Sequence, residues 1–212
     1  MDNDTIREIA ITTGKIVDLL TPYIDGPASQ IAGIAEEYLK YIRRKQLINL
    51  FDKTNKLLIK KGYQSKKIPL NIAFPLIQAG SLEEDDWMQD QWANLLANAV
   101  DASSSIEMRR AFISILEDLS PLDAQIIKKI YSFSLKYDTT NGVWTKHLPE
   151  HLYREKPDTE DLIPSTNVLT SLGNLSRLGL ISSAVMYSGK HELDCIFPTQ
   201  LGYNFARAVD RE

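Results

Sequence analysis

The side chains with the widest chemical range in this chain are His147, His151 and Cys195. His147-Leu148-Pro149-Glu150-His151 spells H-x-x-E-H, a spacing in which two histidines projecting from one helical face share a zinc ion. That geometry needs an unbroken helix. Pro149 removes a backbone donor and blocks the helix inside the motif, and Asn141-Gly142 just upstream marks a turn. The pattern is therefore expected to be two loop histidines, with no metal. Cys195 falls in a segment that reads as a strand, four residues from His191, and an extended chain rising about 3.3 Å per residue holds the two too far apart for a nucleophile and its base. There is no glycine-rich phosphate loop, G-x-S-x-G elbow or cysteine pair. The chain is expected to be non-enzymatic and to carry no cofactor.

Recognition of anions is the chemistry the charge pattern favours. Lys40, Arg43, Arg44, Lys45, Lys53, Lys56, Lys60, Lys61, Lys66 and Lys67 are opposed in their segment by Asp52 alone, a local +9 in a 212-residue chain of net −4. Two readings stand: a solvated helix face, or a surface for an anionic partner. Such a partner is nucleic acid, phospholipid headgroups in peripheral membrane contact, or the protein's own acidic cluster of Glu83, Glu84, Asp85, Asp86 and Asp90. That asymmetry also favours self-association. Ser81-x-x-Glu84 reads as a capping box opening a helix at the acidic cluster. Carboxylates in a first turn gain about 0.3–1 kcal/mol each from the helix dipole, which accounts for these acids without a metal. Asn94 and Asn98, four apart in Trp92-Ala93-Asn94-Leu95-Leu96-Ala97-Asn98-Ala99, share a helix face. They either bond neighbouring helix ends or form, with Trp92, an interaction motif.

These groups must be held by helices. Composition is that of a globular chain, 43% hydrophobic and 25% charged. The apolar runs fall well short of the roughly 20 residues of a membrane span. A single cysteine and the lack of a charged segment leading into an apolar one at the N-terminus fit a cytoplasmic protein without a signal peptide. Thr5-x-x-Glu8 caps a first amphipathic helix that Thr21-Pro22 stops. Asp25-Gly26-Pro27 then turns into one long helix, roughly 50 Å by its rise per residue, whose apolar stripe includes Ile31, Leu47, Leu50, Phe51 and Leu58 and ends near Gly62. A proline-punctuated piece, 68–80, precedes a helix from Ser81 to about Asp101, with Met88, Trp92, Leu95, Leu96 and Ala99 as core. Ser104-x-x-Glu107 caps another, carrying Phe112, Ile115, Leu116 and Leu119. With no strand alternation up to this point, residues 1–119 read as an all-helical domain.

From Ser120 the pattern changes, and 120–212 reads as a winged-helix-like domain. Ser120-Pro121-Leu122-Asp123 opens one helix and Ser165 a second, which Gly179 ends. Two strands flank Ser188-Gly189-Lys190, and Thr199-Gln200-Leu201-Gly202 opens a last helix. The fold class is thus mainly α, a helical domain followed by helices around a β-hairpin. The helix from Ser165 to Leu178 stands where a DNA reader would, and its candidate contacts are Asn167, Asn174 and Arg177. Ten cations against eleven anions from Ser120 onward give that region net −1, poor for gripping a phosphate backbone. Protein contact is expected ahead of the alternative, a DNA-binding transcription regulator.

The acidic run leading into Trp92-Ala93-Asn94-Leu95-Leu96-Ala97-Asn98-Ala99, together with Ile115-Leu116-Glu117-Asp118-Leu119-Ser120-Pro121-Leu122-Asp123-Ala124, resembles the abortive infection alpha family of bacterial proteins. Leu178-Gly179-Leu180-Ile181 and Thr199-x-x-Gly202 resemble that family's C-terminal part. The likeness spans most of the chain from about Gly26. It implies a role in bacterial defence against phage, usually by an infection-linked arrest of the host; the two domains are expected to serve it by binding a protein partner or another macromolecule. It brings no catalytic residues with it.

Overall fold

The computed structural model describes residues 24–25, 44–60, 65–132, 142–157, 163–185 and 191–210. Among these the chain is mainly helical, with seven helices and a small antiparallel sheet of three strands. In chain order the elements are β1 (Ile24–Asp25), α1 (Arg44–Lys60), β2 (Ile68–Pro69), α2 (Leu70–Leu82), α3 (Asp86–Val100) and α4 (Arg110–Glu117). There follow α5 (Pro121–Ser132), β3 (Val143–Trp144), α6 (Thr166–Arg177), β4 (Ile181–Val185), β5 (His191–Pro198) and α7 (Gln200–Val209). Contacts divide the chain into two compact units, one ending at Ser114 and the other running from Ile115 to Asp210.

In the first unit α1, α2 and α3 pack on one another. The inward positions of α1 are Leu47, Leu50, Phe51, Thr54 and Leu58, a three-and-four spacing that makes one buried stripe. They meet Ala73, Leu76 and Ile77 of α2 and Met88, Trp92, Leu95, Leu96 and Ala99 of α3 in a common core. The first helix read from Thr5-x-x-Glu8, and the part of the long helix before Arg44, lie outside the described residues.

Four local expectations are corrected. The stretch read as all-helical contains a two-residue strand, Ile24–Asp25, that pairs in parallel with Ile68–Pro69, while Gly26 and Pro27 of the expected turn lie outside the described residues. The segment 68–80 is mostly helix: α2 carries Pro75 in its interior. An interior proline costs about 3 kcal/mol, and burying Ala73, Leu76, Ile77 and Ala79 on the same helix offsets it. Ser81 does not open the next helix. It is fully buried in the last turn of α2, donating its hydroxyl to the Gln78 carbonyl at 2.8 Å, and Asp85 caps α3 instead by accepting from the Met88 N–H at 2.9 Å. Ser104-x-x-Glu107 is likewise no capping box: Ser104 Oγ accepts from Ile106 N at 3.2 Å, Glu107 pairs with Arg109, and α4 starts at Arg110.

In the second unit the capping chemistry follows the sequence closely. Ser120 Oγ accepts from Asp123 N and Asp123 Oδ2 accepts from Ser120 N at 2.8 Å, a reciprocal cap on α5. Ser165 caps α6, and Gly179 supplies the positive φ of 72° that turns the chain out of it. The sheet order is β3-β5-β4, both pairs antiparallel, with Val143 opposite Ile196 and Ile181 opposite Pro198. The turn between β4 and β5 lies outside the described residues. A single polar node locks the end of the sheet to the helices: Tyr131 Oη donates to the Leu180 carbonyl, accepts from Thr199 N at 3.0 Å, and lies beside Gly202. No helix among the described residues is long and apolar enough to cross a membrane.

Candidate functional site

The basic segment and the acidic cluster meet through one lysine. Lys53 sits on the flank of α1 and reaches the first turns of α3, donating to Asp86 Oδ1 and the Asp86 carbonyl at 2.8 Å each and pairing with Asp90 Oδ1 at 2.6 Å. Partial burial opposes its charge, but the hydrogen bonds and charges of Asp86 and Asp90 outweigh that cost and raise the Lys53 pKa. The same hydrogen bond and charge lower the pKa of Asp86. Gln89, buried beside this clamp, donates to the Gln46 carbonyl at 3.0 Å and ties the same two helices together.

The clamp predicts a pH signature. Asp86, with its pKa lowered by folding, stabilises above its ordinary value near pH 4 and loses that contribution as pH falls through the folded value. Lys53, with its pKa raised, contributes fully below its ordinary value and loses it only as pH rises through the higher folded one. Lys53→Met should therefore lower stability modestly at neutral pH, as for a largely solvent-screened pair, and the gap to the parent should close in acid. Urea denaturation across the acid range reads this directly; a gap that persists in strong acid would show that the lysine stem, not its charge, holds the helices.

The other cations are placed differently. Lys45, Lys56 and Lys60 are exposed on α1, away from the Leu47–Leu50–Phe51–Leu58 stripe, and Lys66 and Lys67 are exposed beyond it. Arg44 is the first residue of α1. Lys40, Arg43 and Lys61 lie outside the described residues. Sequence reading missed that Ile48 and Ile59 belong to the outward side of α1, at 43% and 80% exposure. Their spacing of eleven residues, close to three helical turns, was the available signal.

Trp92 and Asn98 are core residues of α3, 2% and 5% exposed, and Asn94 is half-buried. On α6 the structure places Asn167 at the surface but draws Asn174 and Arg177 into a network. Asn174 Nδ2 donates to the Asp118 carbonyl at 2.9 Å and to Asp123 Oδ2 at 3.0 Å, while its Oδ1 accepts from Arg177, whose guanidinium also bridges to Asp118 Oδ2 at 3.0 Å. Two of the three candidate DNA contacts thus help join α6 to the segment that caps α5. Neither Asp118 nor Asp123 was recognised as their partner from sequence, since the pairs are more than fifty residues apart.

His147 and His151 stand in a turn around the cis Leu148-Pro149 bond, both rings 5.6 Å from that of Tyr153. Among the described residues no group of three or more His, Cys, Asp or Glu is placed to hold a metal ion. Cys195 lies on β5 opposite Trp144, and burial, then the charge of Asp194, pushes its thiol pKa up, away from the reactive thiolate.

Comparison with characterised sequences and folds gives no match among curated proteins and none among solved structures. The family model for abortive infection alpha does match, over residues 40–209. That stretch takes in every described helix, from α1 through α7, and includes the clamp, the α5 cap and the Thr199–Gly202 turn. The chain belongs to the abortive infection alpha family.

Proposed function

We propose that this protein serves bacterial defence of the abortive-infection type as a cytoplasmic binding protein, with no catalysis of its own. Family membership over residues 40–209 is the observation that carries this reading. We read the second unit, whose elements run α5, β3, α6, β4, β5 and α7, as a winged-helix-like protein-contact module. Engagement of Asn174 and Arg177 by Asp118 and Asp123 favours protein contact over the alternative of a DNA-reading transcription regulator, which would have to release them.

Expression in a phage-sensitive bacterium should lower plating efficiency or burst size for part of a diverse phage panel, with infected cells arresting before lysis. Unchanged plating and burst size across the whole panel would overturn the reading.

A further inference from the structure

The outward face of α1 combines two features that a merely solvated helix does not need together. At 100° per residue, Lys45, Ile48, Asp52, Lys56, Ile59 and Lys60 fall on one side, opposite the buried stripe. All six are exposed, and Ile59 is 80% so. The two isoleucines line one flank, about 16 Å apart by the helical rise, while Lys45, Lys56 and Lys60 run beside them. We propose that this face of α1 docks on an anionic lipid surface, the lysines drawing to headgroup phosphates and Ile48 and Ile59 entering the boundary below them.

Charge complementarity selects this occupant. Lysine heads on flexible stems suit a diffuse anionic surface, where each contributes roughly fivefold in partition, and their stems let the isoleucines approach the acyl boundary. Nucleic acid has no use for two exposed isoleucines, and phosphate contacts on it are better made by the planar fork of arginine, which is lacking among these six residues. A second copy's acidic cluster is a weaker fit, because Asp86 and Asp90 are already held by Lys53 within the unit. The proposal rests on α1 alone and is independent of the defence reading, so failure in the lipid assay and failure in the phage assay are separate results.

The test is flotation of the full chain with vesicles of phosphatidylcholine alone or with added phosphatidylglycerol. The parent should float only with the anionic vesicles and detach as salt rises. Lys45→Glu/Lys56→Glu/Lys60→Glu should cut partition on the order of a hundredfold. Ile48→Ser/Ile59→Ser, which keeps every charge, should cut it by at least about tenfold. Far-UV circular dichroism and melting should match the parent for both variants, since all five side chains are exposed. Absence of parent binding to the anionic vesicles overturns the proposal, as does binding that survives the isoleucine changes. Binding of duplex DNA or RNA, or self-association, that needs the three lysines and ignores the isoleucines would also overturn it in favour of that partner.

Discussion

Replacing Gly202 by alanine should lower the stability of the second unit by about 3 kcal/mol or more, the summed scale of overpacking and of a lost buried hydrogen bond. A Cβ at this position would stand 2.1 Å from the Leu180 carbonyl oxygen and 2.1 Å from Tyr131 Oη. Neither atom can step aside cheaply. The carbonyl belongs to backbone that accepts from Tyr131 and Thr199, and the tyrosine hydroxyl accepts from Thr199 N, so moving either one opens the cap of α7 and the exit from α6 together. Thr199 Oγ1 accepts from Gly202 N at 3.0 Å in the same turn, which explains a threonine and a glycine three apart at this helix start. Gly173, in α6, is the internal control: nothing lies within 4 Å of a Cβ built there, so Gly173→Ala should stabilise by about 0.5–1 kcal/mol. Urea denaturation should place the two variants on opposite sides of the parent; a Gly202→Ala midpoint at or above the parent's would show that the close approach is relieved at no cost.

The parts of this fold that could be read from sequence are those governed by neighbours in the chain. Leu47, Leu50, Phe51 and Leu58 are buried because their helical spacing puts them on one side, whatever packs there. Ser120, Ser165 and Thr199 cap helices because each precedes its helix with a polar oxygen and an N–H two or three residues on to receive. Ser81 carries the same pattern and fails, because the preceding helix runs through it and buries it, leaving Asp85 to cap. Pro75 hid α2 for a related reason: local preference opposes helix there, and only the burial of Leu76 and Ile77 overrides it. For the candidate site, the segment's basicity was plain, but its division was not. Which lysine is spent on Asp86 and Asp90, and which stay outward beside Ile48 and Ile59, depends on where α3 packs on α1.

Trp92→Ala is expected to cost the first unit about 3–5 kcal/mol, the scale for removing a large buried aromatic side chain. Trp92 is among the largest fully buried side chains of the described residues. A Cβ on Gly80 of α2 would lie 3.2 Å from Trp92 Cβ and 3.0 Å from a Leu50 methyl, so α1, α2 and α3 converge on this point. With all three backbones held by their other core residues, the site cannot collapse onto the vacated volume, which places the cost high in that range. Asn94→Ala, half-buried on the same helix, should move stability by less than about 1 kcal/mol. Paired with phage challenge, the two substitutions separate the readings of this motif. Trp92→Ala should lose protection in step with its fall in urea midpoint, as a core residue must. If it instead keeps the parent's midpoint and loses protection, Trp92 is a contact residue that the folded unit exposes to its partner, and the core assignment is wrong.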